Sequence, residues 1–277
     1  MKNLFDNHNH SQFSFDGKKA SVESTALMAK EKGLGGLCFS DHFDAYTPPM
    51  KAAFEDMVPE DFDVKVQQDE IDRVQDILEG SGFRILKGIE IGMYCECHGQ
   101  IRSKLSDNSF DQVIASVHYI EQTDPYYEGY YDGKDWRQAY GTYLETIYRE
   151  MTWLRDFDIM GHFDYIVRYA PYPQESIRYR DFSDIMDEMF RFLIDEGKAL
   201  EINTKSYQNF KGRHPVLDRD VLLRYKELGG EIISLGSDSH SPECVGTSFD
   251  TYAALLKSFG FRWTAHYEKR KLVQMPL

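Results

Sequence analysis

Cysteine is scarce in this sequence. Four residues, Cys38, Cys95, Cys97 and Cys244, are spread without a paired pattern. That argues against a disulfide framework and for reduced thiols in a cytoplasmic chain. No apolar run approaches the length of a membrane span. The opening Met1-Lys2-Asn3-Leu4-Phe5-Asp6 turns polar at once, unlike a signal peptide. Positive charge is in deficit, with 32 Lys+Arg against 46 Asp+Glu and a net charge of −14. Such a field repels nucleic acid and anionic membrane, so neither is expected as a partner. It would repel a phosphate ester as well, so an anionic substrate needs local positive charge, which bound metal ions can provide. Low-complexity segments, repeats, a Gly-x-Ser-x-Gly elbow, a P-loop and a dinucleotide fingerprint are all missing.

What remains is an ordinary globular composition: 42% hydrophobic and 28% charged residues in a chain of 277. That length suits a single domain over residues 1–277. The aromatic share of 14% reads as core plus a Tyr-rich pocket rim. β-rich runs are expected at 4–7, 36–40, 84–89, 112–116, 159–161, 199–202 and 232–235. Amphipathic stretches near 21–32, 64–80, 137–155, 181–196, 218–228 and 248–258 read as helices between them. Strand–helix alternation argues for a parallel sheet with helical crossovers. Seven strands suit an α/β barrel of TIM-barrel type, closed or nearly so, with a doubly wound open sheet as the alternative. Residues 43–62 and 119–136 are too long for simple connections and read as lids or binding loops.

The chemistry sits at the strand ends. His8 and His10 follow the first strand, and Asp41 and His42 the second. Glu90 ends the third, His118 the fourth, and His162 with Asp164 the fifth. Glu201-Ile202-Asn203 ends the sixth, and Asp238 with His240 the seventh. In a (β/α) barrel these ends open onto one face. Six of the nine histidines lie there, with Glu90 and Asp238. Imidazole and carboxylate together are ligands for zinc, iron and manganese. His8-x-His10 on an extended strand places both rings on one side. An open His/carboxylate cluster differs from a closed four-ligand structural zinc site.

His8-x-His10, Ser40-Asp41-His42, Gly88-x-Glu90, Ser116-x-His118, Gly161-His162 and Ser237-Asp238-Ser239-His240 together resemble the motif series of the PHP (polymerase and histidinol phosphatase) superfamily. Glu201-Ile202-Asn203-Thr204 and Gly161-His162-x-Asp164 are similar to its histidinol-phosphatase branch. The resemblance implies a distorted (β/α)7 barrel with three divalent metal ions. By it, His8, His10, Glu90 and Asp238 hold the first, Glu90, His118 and His162 the second, and His42 and His240 the third. Asp16 stands where many histidinol phosphatases have His. The implied reaction is hydrolysis of a small phosphorylated substrate, L-histidinol phosphate, in histidine biosynthesis. Alternatives are another PHP phosphatase, acting on a nucleotide, sugar phosphate or phosphotyrosine, and a non-catalytic metal-binding PHP module.

Outside the metal set, Arg168, Lys205 and Arg213 follow strands five and six and are candidates for phosphate binding, since a guanidinium fork matches two phosphoryl oxygens. Asp41 and Asp164 neighbour ligand histidines. They are candidates for orienting a ring or protonating the leaving group. Asn203 could support the site as well. Cys95-Glu96-Cys97-His98 reads as loop or packing residues, and His266 as structural. The oligomeric state is open.

Overall fold

In the computed structural model, residues 3–47, 61–121 and 123–277 are described. Strands β1 (Phe5–Asn9), β2 (Gly36–Phe39), β3 (His42–Asp44), β4 (Arg84–Gly92), β5 (Gln112–Ser116), β6 (Ile159–Met160), β7 (Ala199–Asn203) and β8 (Ile233–Gly236) form one parallel sheet. Its order is β1-β2-β4-β5-β6-β7-β8, with β3 carrying the line of β2 onward beside β4. Every strand except β3 and the exposed start of β4 is almost wholly buried, as a sheet covered on both faces requires.

The sheet closes on itself at one end. Asn9 bridges Ser239 in parallel, with His10 N donating to Ser239 O at 2.8 Å and Ser239 N to His8 O at 3.3 Å. The seam therefore runs between His8 and His10 on one side and the Asp238/His240 pair on the other. The barrel expectation holds, and the open sheet is set aside.

Helices α1 (Val22–Glu31), α2 (Val64–Ile77), α3 (His98–Ser106), α4 (Trp136–Leu154), α5 (Ser183–Asp195), α6 (Arg219–Glu227) and α7 (Phe249–Ser258) fill the crossovers. Their starts have local causes. Ser21 caps α1, Asp63 caps α2, and Asp135 with Gln138 forms a capping box on α4. Helix α3 escaped the sequence reading because nine residues containing Gly, Ser and His carry little periodicity. It begins at His98, whose ring stacks on Trp153 and whose Nε2 meets Glu150 Oε2 at 2.7 Å. Of the Cys95–His98 run, Cys97 and His98 pack while Cys95 and Glu96 are exposed.

A hairpin of β9 (Trp263–Glu268) and β10 (Lys271–Pro276) closes the opposite mouth. His266 stacks on Phe5 at 3.9 Å between centroids, and Arg270 pairs with Asp158 at 2.6 Å, just before β6. The structural reading of His266 fits this place.

Candidate metal centre

Strand β1 extends two residues beyond its expected end, so His8 lies within it and His10 just past it. Their ring centroids are 5.2 Å apart, on the same side, as a period of two dictates. Glu90 reaches the centre of the C-terminal face from β4 and is fully buried. Its Oε2 lies 3.1 Å from His8 Nε2, 3.5 Å from His10 Nε2 and 2.9 Å from His42 Nδ1. Its Oε1 lies 3.3 Å from His118 Nε2 and 3.0 Å from His162 Nε2. One carboxylate thus faces five imidazoles, three on one oxygen and two on the other.

The remaining residues flank this hub. His10 Nε2 is 3.4 Å from Asp238 Oδ1. Asp16 Oδ2 lies 2.7 Å from His240 Nε2 and 3.7 Å from His42 Nε2. His118 Nε2 is 3.4 Å from His162 Nε2. Ligand atoms of His10, Asp16, His42 and His240 fall within 4.8 Å of one another, as do those of His8, His10 and Asp238, and those of His8, Glu90 and His162. All nine residues expected as ligands therefore meet at one place.

The atoms at the centre are unsatisfied. His8 Nε2, His10 Nε2, His42 Nδ1 and Glu90 Oε2 are buried without a hydrogen-bond partner, although they stand close together. Buried polar atoms are rarely left so, and a bare hydrogen-bonding network would not aim them at one point. A cation is the partner that suits nitrogen and carboxylate lone pairs together.

Charge coupling is strong. Burial disfavours the charged form of His8, but Glu90, Glu201 and Asp238 outweigh it and raise the ring well above its ordinary pKa. His42 rises to about 10 because Glu90 and Asp16 overcome the same burial cost. His10 goes the other way, lowered by burial and then by the charges of His42 and His240. Glu90 is held well below the carboxylate range, since His8, His118 and His42 override its desolvation.

A cavity of about 380 Å³ opens over the cluster. Arg168 and Lys205 line it together with Tyr119, Asp124, Tyr126, Tyr165 and Tyr169. Lys205 Nζ lies 3.0 Å from Asp238 Oδ1 and 2.9 Å from His240 Nδ1. Arg168 donates through Nη1 to Lys205 O, while its buried Nε has no partner. The two long connections split in outcome. The second supplies Tyr119, Asp124, Tyr126 and Tyr127 to the cavity wall. Of the first, residues 48–60 lie outside the described residues.

Three expectations need correction. Arg213 is not on the cavity wall. Its guanidinium donates to the carbonyls of Val167 at 3.3 Å, Tyr172 at 2.7 Å and Gln174 at 3.3 Å. It braces the loop that carries Arg168 through one bond from each of its three nitrogens. Asp41 is fully buried beneath the site and accepts from Ser11 N, Ser11 Oγ and Gln67 Nε2, so it fixes the turn after β1 and has no path to a leaving group. Asp164 is also buried off the cavity wall. Burial pushes its carboxyl up to about 6, while neighbouring Tyr207 and His162 pull it down.

Two carboxylates escaped the sequence reading as members of the site. Asp44 Oδ1 is 2.9 Å from His118 Nδ1, and Glu201 Oε1 is 2.7 Å from His8 Nδ1. The only signal for Asp44 was its place two residues after His42, on the same side of a strand not foreseen.

The model of the PHP domain matches residues 6–205. A curated histidinol-phosphatase of Lactococcus lactis subsp. lactis (strain IL1403) is 33% identical over 274 residues, covering 98% of this chain and 97% of that one. The chain belongs to the PHP family. Its fold agrees with two solved structures. A crystal structure of histidinol phosphate phosphatase from Lactococcus lactis, complexed with zinc, L-histidinol and phosphate, superposes with a TM-score of 0.84 at 30% identity, over 98% of this chain and 99% of that one. A structure from Listeria monocytogenes, at 21% identity and a TM-score of 0.74, covers 90% of this chain and 99% of that one and shows the shared fold alone. No helix among the described residues is long and apolar enough to cross a membrane.

Proposed function

We propose that this PHP protein is a metal-dependent phosphomonoesterase that hydrolyses L-histidinol phosphate to L-histidinol and phosphate, serving histidine biosynthesis. The carrying observation is the convergence of unsatisfied imidazole and carboxylate atoms on Glu90, under a cavity, in a chain collinear with a histidinol-phosphatase. A single domain spanning residues 1–277 performs it. Four free cysteines are in keeping with a cytoplasmic setting.

The donor set fits three divalent ions. His8, His10, Glu90 and Asp238 would hold the first, Glu90, His118 and His162 the second, and His42, His240 and Asp16 the third. Glu90 suits a bridging role because its two oxygens face different rings. Zinc, iron and manganese all match such ligands. Ions bound there supply Lewis acidity, which acidifies water and polarises phosphoryl oxygens. The protein's own part is to orient the ester. Arg168 and Lys205, which both line the cavity, supply the cationic contacts for phosphoryl oxygens not facing the metals. Lys205 must leave Asp238 and His240 to do so. Asp124 and the surrounding tyrosines form the wall for the organic portion, aromatic faces beside a carboxylate, which matches an imidazole and a protonated amine. That carboxyl is pushed up to about 6 by burial. A cationic substrate group would relieve that desolvation cost.

Initial rates on a panel of phosphomonoesters decide the matter. L-histidinol phosphate should give the highest kcat/KM, above nucleotides, sugar phosphates and phosphotyrosine. A better substrate in one of those classes would overturn the assignment, and no hydrolysis of any member by zinc- or manganese-loaded protein would overturn the enzyme reading altogether.

A further inference from the structure

The rings that meet at Glu90 are themselves held from behind. Glu201, on β7 and 1% exposed, stands between two of them. Its Oε1 lies 2.7 Å from His8 Nδ1, and its Oε2 accepts from the backbone N of His162 at 2.7 Å. Asn203 Nδ2 links the same oxygen, at 3.4 Å, to Asp238 Oδ2, at 3.3 Å. A carboxylate accepts, so this contact holds a proton on His8 Nδ1, and Nε2, the nitrogen that faces Glu90, is the one left to bind a metal ion. Nε2 is the buried atom without a partner.

Space for the contact is reserved by the backbone. A Cβ at Gly236 would lie 2.2 Å from Glu201 Oε1 and 2.6 Å from His8 Cβ, so only glycine fits at that strand end. The Asp44–His118 pair has the same provision. A Cβ at Gly92 would lie 1.8 Å from Asp44 Oδ1 and 3.4 Å from His118 Nδ1. Two glycines on strands far apart in sequence thus leave room for two carboxylate–imidazole pairs.

We infer that Glu201 is a positioning residue for the metal centre, fixing the tautomer of His8 while anchoring the backbone of His162, so that one side chain sets ligands of two neighbouring metal positions. This rests on reading the cluster as a metal centre. Partners of this kind on ligating histidines typically strengthen metal binding 10–100-fold.

Glu201→Gln separates the idea from simple structural support. The amide can accept from His162 N with its oxygen and donate to His8 Nδ1 with its nitrogen. Both contacts survive, but the His8 proton must then move to Nε2, where it blocks ligation. Zinc alone serves as the probe, with a chelator competition read by elemental analysis on wild type and variant. Thermal melting of the metal-free proteins is measured beside it, together with rates as a function of free zinc. The expected result is an unchanged metal-free Tm, a zinc affinity about 10–100-fold weaker, and a kcat that recovers at high zinc. Glu201→Asp keeps the charge but shortens the reach, and should also weaken zinc binding. Equal zinc affinity in wild type and Glu201→Gln would overturn the inference. So would a metal-free variant that melts far lower or does not fold, because the contact would then be structural. A wild type that binds no zinc, iron or manganese would instead sink the metal-centre reading beneath it.

Discussion

The two mouths of the barrel both carry charged side chains and treat them in opposite ways. At the N-terminal mouth the charges are closed into pairs. Arg270 reaches Asp158 at 2.6 Å and Asp156 at 2.9 Å, Arg84 meets Glu268 at 2.8 Å, and Lys198 donates to Phe157 O at 2.7 Å. The β9–β10 hairpin lies over them as a lid. At the C-terminal mouth, carboxylates and imidazoles crowd together with lone pairs left unsatisfied, and no strand among the described residues covers them. Stability and function are thus divided between the ends of one sheet, as a parallel barrel allows. Substitutions at one mouth should move melting, and those at the other should move metal content and rate.

Chelation should have the largest effect. Thorough removal of divalent metal is expected to abolish phosphatase activity, and zinc, manganese or iron to restore it. Full turnover in protein shown to be metal-free by elemental analysis would end the comparison.

Glu90→Gln comes next. It touches five rings, and should lose metal and activity together, by a factor above about 100, whereas Asp16→Asn should lose less because it contacts only His42 and His240. Metal content and kcat of the two variants give the ranking, and near-normal values for Glu90→Gln would refute its place at the hub.

Arg168→Ala should lower kcat/KM by roughly ten- to a hundredfold at unchanged metal content, the size of one charge-assisted hydrogen bond. Arg213→Ala should behave differently. With its three donors on carbonyls of the Arg168 loop, it should lower Tm and impair kcat/KM less than Arg168→Ala does. The reverse order would return Arg213 to the phosphate.

The smallest effect on catalysis belongs to the opposite mouth. Arg270→Ala should cost about 1–3 kcal/mol of stability with kcat unchanged. The cost depends on pH. Burial raises the Asp158 pKa, and Arg270 opposes that rise. A raised carboxyl contributes stability below its unfolded pKa of about 3.9 and loses it as pH climbs through the folded value. Without Arg270 the folded value climbs further, so destabilisation should be larger at pH 8 than at pH 4. A Tm difference that is flat across that range would show that Asp158 is not the group involved.

Much of the barrel was legible because buried parallel strands are short apolar runs, and all seven expected ones have a counterpart. Strand β3 was not, since three residues directly after a Ser-Asp break have no period to detect. Eight of the nine residues that converge on the site were legible because they stand at or just past strand ends, and all parallel strands end on one face; Asp16 was reached only through the family resemblance. Asp41 looked functional by adjacency to His42, but it turns to Ser11 and Gln67 while His42 faces Glu90.

The linear order of residues was sufficient to determine the fold class, the family and the set of metal-seeking side chains, since these depend on local periodicity and on motifs within a few positions. Contacts across the barrel were decided only by tertiary structure. It placed Glu201 against His8, 193 residues away, and Asp44 against His118, 74 away. It also turned Arg213 onto the carbonyls of its neighbouring loop. Hydrogen-bond direction is set by where two strands lie in space, and no spacing along the chain encodes that.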